Sequence, residues 1–314
     1  MPHVFGPVQS RRLGRSLGID CIPYKTCNLD CLYCECGATT RQTEEREDWY
    51  PGDEILAEVR AWLGAHPAPD WITFAGSGEP SLYRGMGDLV RQIRALSDTR
   101  LALITNGVLF RDQRVREEAL QFDLVLPSLD AARDETFRII NRPLPGIRIE
   151  EVIDGLVRFR RMFSKSIWLE VFVIPGINDG QDEIRALREA IQRISPDRIQ
   201  LNSLDRPGTE ASLEAASPEQ LEAVRGSLDL PGIEIVSRGL AGSPADLLPE
   251  PEAEKRIMMT LLRRPSTTQD LVSASGLPVA RLSLLLGDMK RREQVEEREV
   301  RGERFWVAAR HEMT

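Results

Sequence analysis

From residue 16 to residue 240, short apolar runs alternate with stretches of helical periodicity, and no other feature limits the possible folds as strongly. Strands are predicted at 17–22, 71–75, 101–105, 124–127, 167–174, 198–202 and 233–236. The helices between them fall at 53–65, 85–96, 113–121, 149–163, 182–194 and 218–228. A strand, a helix and a returning parallel strand join through a right-handed crossover, and repetition curls the sheet toward a barrel. Six or seven strands fall short of the eight that close one. The expectation is therefore an α/β fold, a partial (βα)6-type TIM barrel.

In such a fold functional groups collect at the C-terminal ends of the strands. Here the first strand runs into Lys25–Gly37, KTCNLDCLYCECG. The second runs into Gly76-Ser77-Gly78-Glu79-Pro80, the third into Thr105-Asn106-Gly107 and the fourth into Ser128-Leu129-Asp130. The fifth, ending at Ile174, runs into Pro175-Gly176-Ile177-Asn178-Asp179, and the sixth ends in Asn202–Gly208. Each alone is an ordinary turn composition. Six at one rim point to a ligand site.

Cys27, Cys31 and Cys34 lie within eight residues. Three thiolates this close suit one inorganic centre, and soft sulfur selects zinc, copper(I) or an iron–sulfur cluster. A closed zinc site needs a fourth ligand, yet none of the three histidines, His3, His66 and His311, lies in a ligand motif. Three ligands on a four-iron cubane leave one iron open, which points to catalysis. All five cysteines fall within sixteen residues, which fits a metal site in a reducing compartment. Cys21 reads as a small buried residue on the first strand and Cys36 as a spectator thiol. No apolar run approaches membrane-spanning length and the N-terminus lacks a signal-peptide core, so no membrane contact and a cytoplasmic location are expected.

The run Cys27-x-x-x-Cys31-x-x-Cys34, with Tyr33 before the last cysteine, resembles the signature of the radical S-adenosylmethionine (SAM) enzymes. The resemblance implies a 4Fe-4S cluster on Cys27, Cys31 and Cys34, its open iron chelated by SAM, and a 5′-deoxyadenosyl radical that takes hydrogen from a substrate. It implies a low-potential electron donor, a flavodoxin or ferredoxin. By position it implies cofactor contacts from Tyr33, Gly76, Ser77, Gly78, Glu79, Thr105, Asn106, Ser128, Asp130, Ile174 and Asn202. The runs Phe5-Gly6-Pro7, Ser10–Gly14, Lys25–Asn28, Asn141-Arg142-Pro143 and Arg206-Pro207 are similar to a subgroup placed with wyosine-base synthases, which modify a guanine in tRNA. Those enzymes hold a second cluster on three N-terminal cysteines, whereas no cysteine precedes Cys21 here. A nucleoside in RNA is the expected substrate; a peptide or small metabolite is the alternative.

Arg11, Arg12, Arg142 and Arg206 would make a substrate anion site if their loops converged, since a guanidinium fork suits phosphate or carboxylate. Residues 1–240 thus read as the barrel and 241–252, rich in Pro, Gly and Ala, as a linker. Residues 253–314 read as a winged-helix-like unit. It has a helix at 253–263, a second helix started by a Ser266/Gln269 capping box, a third at 279–292, and a hairpin around Arg301-Gly302. Twelve Lys+Arg against nine Asp+Glu give this segment +3, leaving −11 for the rest of a chain whose total is −8. Lys290, Arg291 and Arg292 end the third helix, with Arg298, Arg301 and Arg304 on the hairpin, so contact with RNA, DNA or a peptide is expected there. Two rival readings are an iron–sulfur-dependent DNA-binding regulator and a zinc-stabilised binding protein.

Overall fold

The structure is a computed structural model, and it describes residues 2–10, 12–236 and 250–309. Eight strands form one sheet in sequence order: β1 (Val4–Ser10), β2 (Gly14–Ile19), β3 (Trp71–Phe74), β4 (Arg100–Thr105), β5 (Leu124–Pro127), β6 (Ser166–Phe172), β7 (Arg198–Asn202) and β8 (Ile233–Ile235). Strands β2 to β8 pair in parallel, and β1 folds back antiparallel on β2. The sheet does not close, because β1 and β8 are its two edges. The architecture is a partial barrel, as the alternation predicts.

The crossovers carry α1 (Gly52–Ala65), α2 (Met86–Leu96), α3 (Gln113–Ala119), α4 (Asp134–Ile140), α5 (Ile149–Met162), α6 (Gln181–Ile194) and α7 (Pro218–Leu228). Their apolar stripes pack on the outer face of the sheet in one large cluster that includes Ile72, Phe74, Phe110, Phe122, Leu156 and Phe159. A smaller apolar layer, with Leu13, Trp71, Ala102, Leu124 and Leu126, fills the N-terminal end of the sheet's other face. Polar and cysteine-bearing loops are left for the opposite end.

The strand β1 was not predicted. Its Gly6-Pro7 interrupts the alternation, and the register with β2 shifts between Phe5 and Val8. Proline has no N–H to donate to a ladder, so an edge position suits this stretch.

Beyond the barrel come α8 (Glu250–Leu261), α9 (Thr268–Ser275), α10 (Val279–Arg291) and a hairpin of β9 (Val295–Val300) and β10 (Glu303–Ala308). They share a second buried cluster with Ile257, Leu261, Leu271, Leu282, Leu286, Met289 and Trp306. Of the expected linker, residues 241–249 lie outside the described residues, and 250–252 belong to α8. The capping box is corrected by one residue: Thr267 caps α9 and Asp270 returns the bond, not Ser266 and Gln269. Ser266 instead exchanges backbone hydrogen bonds with Trp306 and ties the helices to the hairpin. Among the described residues no single helix is long and apolar enough to cross a membrane.

Candidate functional site

The three cysteines sit on the loop leaving β2, at the C-terminal end of the barrel strands. Lys25, in the left-handed region at φ 55°, starts the loop, and its N–H donates to the Ser77 carbonyl at 2.9 Å. Farther along, Asp30 N–H and Leu32 N–H donate to the carbonyls of Asn141 and Ile140. The loop is thus sewn to the ends of β3 and α4. Gly208 passes so close that an added Cβ would meet Tyr33 Cα at 2.8 Å, so the segment after β7 covers the turn that holds Cys34.

Each sulfur has one side-chain nitrogen aimed at it. Asn106 Nδ2 lies 3.5 Å from Cys27 Sγ, Asn141 Nδ2 3.4 Å from Cys31 Sγ, and Lys25 Nζ 3.0 Å from Cys34 Sγ. Burial pushes the Cys27 thiol up to about 12, helped by the nearby Glu79 carboxylate. Burial also raises Cys31, with Cys27 adding to it. Cys34 moves down, chiefly through a hydrogen bond from Cys36 and then through Lys25, which together outweigh burial. Among the described residues no three His, Cys, Asp or Glu side chains surround one point as the ligands of a single ion do. The cysteines of a cubane bind different irons, so this spread donor set suits a cluster better than mononuclear zinc.

The other predicted rim residues divide into two groups. Ser77, Glu79, Thr105, Asp130 and Ile174 are buried and already held by the protein. Glu79 accepts from Ser81 N–H (3.0 Å), Ser81 Oγ (2.6 Å), Thr105 Oγ1 (2.7 Å) and Asn106 N–H (2.8 Å), so it ties the β3 and β4 loops together. Asp130 accepts from Tyr33 Oη (2.5 Å), Asn141 Nδ2 (2.8 Å) and Phe172 N–H (2.9 Å). Burial still lifts its carboxyl to about 6. Ile174 N–H donates to Asn178 Oδ1 at 2.8 Å. Tyr33, Gly76, Gly78, Asn106, Ser128 and Asn202 keep partial exposure at the rim. Tyr33 also stacks on Phe172, centroids 3.9 Å apart.

Among the described residues, each arginine of the predicted anion site is met by a carboxylate of the protein. Arg12 pairs with Glu170 inside the barrel, Arg142 lies 3.7 Å from Glu210, and Arg206 lies between Glu35 and Asp270. Arg11 lies outside the described residues. Sequence reasoning also passed over Lys25 and Asn141 as site residues. Both stood in runs that carried the family likeness, Lys25–Asn28 and Asn141-Arg142-Pro143.

Comparison with known proteins decides the family. The profile described as "Radical SAM superfamily" matches residues 21–189. The chain belongs to the radical SAM superfamily. It is 33% identical over 226 residues to the UPF0026 protein MJ1312 of Methanocaldococcus jannaschii, covering 71% of this chain and 69% of that one. The UPF0026 protein slr1464 of Synechocystis sp. is 36% identical over 210 residues, 66% of this chain and 77% of that one. A Brachyspira hyodysenteriae protein named GTPase Obg is 35% identical over 308 residues; the match takes in 96% of this chain but 44% of that protein. A radical SAM methyltransferase from Sphaerobacter thermophilus has the same fold at a TM-score of 0.52 and 22% identity, over 71% of this chain and 67% of that one. Membership makes the chain a radical SAM enzyme, with a 4Fe-4S cluster and SAM as its cofactors.

Proposed function

We propose that Cys27, Cys31 and Cys34 are the three protein ligands of the cluster and that SAM lies along the rim from Gly76 to Asn202. The observation that carries this reading is the set of three sulfurs on one loop, each facing its own N–H donor, at the open end of the barrel. When bound, the cluster and SAM supply reductive cleavage of the sulfonium and a 5′-deoxyadenosyl radical. The chain's own residues hold and exclude. Asn106, Asn141 and Lys25 fix the sulfurs, while Glu79 and Asp130 brace the loops beneath them. Phe172 and Tyr33 wall one side against water, which would quench a radical. Electrons come from an external low-potential donor, a flavodoxin or ferredoxin.

Alanine at Cys27, Cys31 or Cys34 should remove the brown colour, the iron and 5′-deoxyadenosine formation together. Full cleavage activity in any one variant would refute that ligand.

The substrate reading is a nucleoside in RNA, supported by the likeness of residues 5–240 to the wyosine-type subgroup. We read the C-terminal unit as a winged helix, a reading supported by its three helices followed by a hairpin and by the 105° bend between α9 and α10. Its basic groups give RNA less support, because Lys290, Arg291, Arg292 and Arg298 each pair with a carboxylate. Anaerobic incubation with deuterated tRNA, peptide and metabolite pools tests the reading. Deuterium in 5′-deoxyadenosine from tRNA supports it, and label from peptide or metabolite alone rejects it.

A further inference from the structure

Two arginines that follow α8 and one that follows β7 connect the C-terminal unit to the back of the cofactor loops. Arg263 is 6% exposed. Its guanidinium lies over the Phe5 ring at 4.4 Å, and its Nη1 and Nη2 donate to the carbonyls of Met259 (3.0 Å) and Pro2 (3.1 Å). Its Nε has no hydrogen-bond partner among the described residues and faces Asp20 Oδ2 at 3.4 Å. The same Asp20 oxygen accepts from Ser77 N–H at 3.2 Å and Ser77 Oγ at 2.9 Å. Gly76 is packed hard on this carboxylate, since an added Cβ would come within 2.3 Å of it. A buried cation from outside the barrel therefore neutralises the acid that shapes the Gly76–Glu79 loop.

A second connection runs to the cysteine loop. Arg206 Nη2 donates to Asp270 Oδ1 of α9 at 2.9 Å, and its Nη1 lies 3.3 Å from Glu35. Arg264 approaches Glu35 at 4.0 Å. Glu35 stands between Cys34 and Cys36, so this chain of charges ends one residue from a proposed cluster ligand. Breaking the Arg263–Asp20 pair leaves a buried charge without its ionic partner, which is the costly way to disturb an ion pair, whereas Arg206 without Asp270 keeps Glu35.

We infer that the C-terminal unit is a working part of the SAM site, with Arg263 and Asp270 as positioning residues that hold the Gly76–Glu79 loop and the Cys34 turn in binding geometry. This rests on the proposed placement of SAM. It gives the unit an internal role that does not depend on an outside partner.

The test uses the full chain, reconstituted anaerobically, with Arg263→Gln, Arg263→Lys and Asp270→Asn. SAM affinity is read by calorimetry and by the change SAM makes in the EPR signal of the reduced cluster. Amide exchange is followed for peptides spanning 72–82 and 31–37. Arg263→Gln should keep its iron, weaken SAM binding at least tenfold and speed exchange at 72–82, with Arg263→Lys recovering much of both. Asp270→Asn, whose amide oxygen can still accept from the Thr267 N–H in the capping box, should speed exchange at 31–37. If Arg263→Gln does not fold, Asp270→Asn carries the test through exchange at 31–37. Unchanged SAM affinity and unchanged exchange in the folded variants overturn the inference. If wild type itself binds no SAM, the placement of SAM fails instead, and exchange alone then decides whether the two loops depend on the C-terminal unit.

Discussion

Lys25→Met is expected to lower the reduction potential of the cluster. Lys25 is 3% exposed, and its Nζ lies 3.0 Å from Cys34 Sγ. A fixed cation favours the state that has gained an electron, so removing it makes reduction harder. At that separation Coulomb's law gives about 1.4 kcal/mol in water and about 5.5 kcal/mol at the effective dielectric of about 20 that describes protein sites. For a one-electron couple about 59 mV corresponds to a factor of ten, or about 1.4 kcal/mol, so these limits become about 60 and about 240 mV. Burial of the lysine pulls toward the larger figure. Spread of the added electron beyond the one sulfur pulls toward the smaller, and about 100 mV negative is the expectation. The measurement is an EPR-monitored redox titration of iron-replete protein without SAM, with Lys25→Arg keeping the charge and staying near wild type. A Met variant with a full cluster that titrates within about 20 mV of wild type, or above it, refutes the reasoning.

The remaining predictions concern the frame around the site. Cys21→Ala should keep iron and colour, because Cys21 is 1% exposed in the core cluster and burial holds its thiol well above the usual range; loss of the cluster would make it a ligand. Gly155→Ala should destabilise, although alanine normally improves a helix interior by about 1 kcal/mol. An added Cβ would lie 2.7 Å from the backbone of Phe110 and Arg111, and overpacking costs about 1–3 kcal/mol; a higher urea midpoint than wild type would contradict this. Asp130 binds its proton more tightly in the folded chain, so its contribution to stability is present below pH 3.8 and lost as pH rises to about 6. Two units correspond to about 3 kcal/mol. In cluster-free protein, wild type should therefore lose up to that much relative to Asp130→Asn between pH 4 and pH 7, and parallel stability curves would exclude it.

The barrel was legible because its information is local. Strands 124–127 and 198–202 and the helix at 218–228 have the bounds the pattern gives, and most other boundaries move by one to three residues. Burial on both faces makes the strand runs apolar throughout, and the amphipathic helices between them cover one face. The strand β1 escaped because its Gly6-Pro7 hides the period. The capping box was misplaced by one residue because Ser266-Thr267-Thr268 offers several caps, and only the pairing of Ser266 with Trp306, 40 residues away, removes the first of them.

The site was legible in its ligand types and not in its wiring, and charge explains why. The chain has 49 acidic against 41 basic residues, and the excess lies in the barrel segment. An arginine near the rim therefore meets a carboxylate of the protein before it meets a substrate: Glu170 for Arg12, Glu210 for Arg142, Glu35 and Asp270 for Arg206. Those partners lie between 64 and 171 residues away along the chain, beyond any local pattern. The asparagine donors are equally remote, with Asn141 reaching Cys31 across 110 residues. Spacing can thus name three sulfurs, while apart from Lys25 on the cysteine loop itself the groups that face them and hold their loops come from strand ends, the end of α4, α9 and the segment after α8. A substrate anion would have to displace one of the internal carboxylates, and Arg142 is the most open place for that, because both it and Glu210 are 43% exposed and 3.7 Å apart.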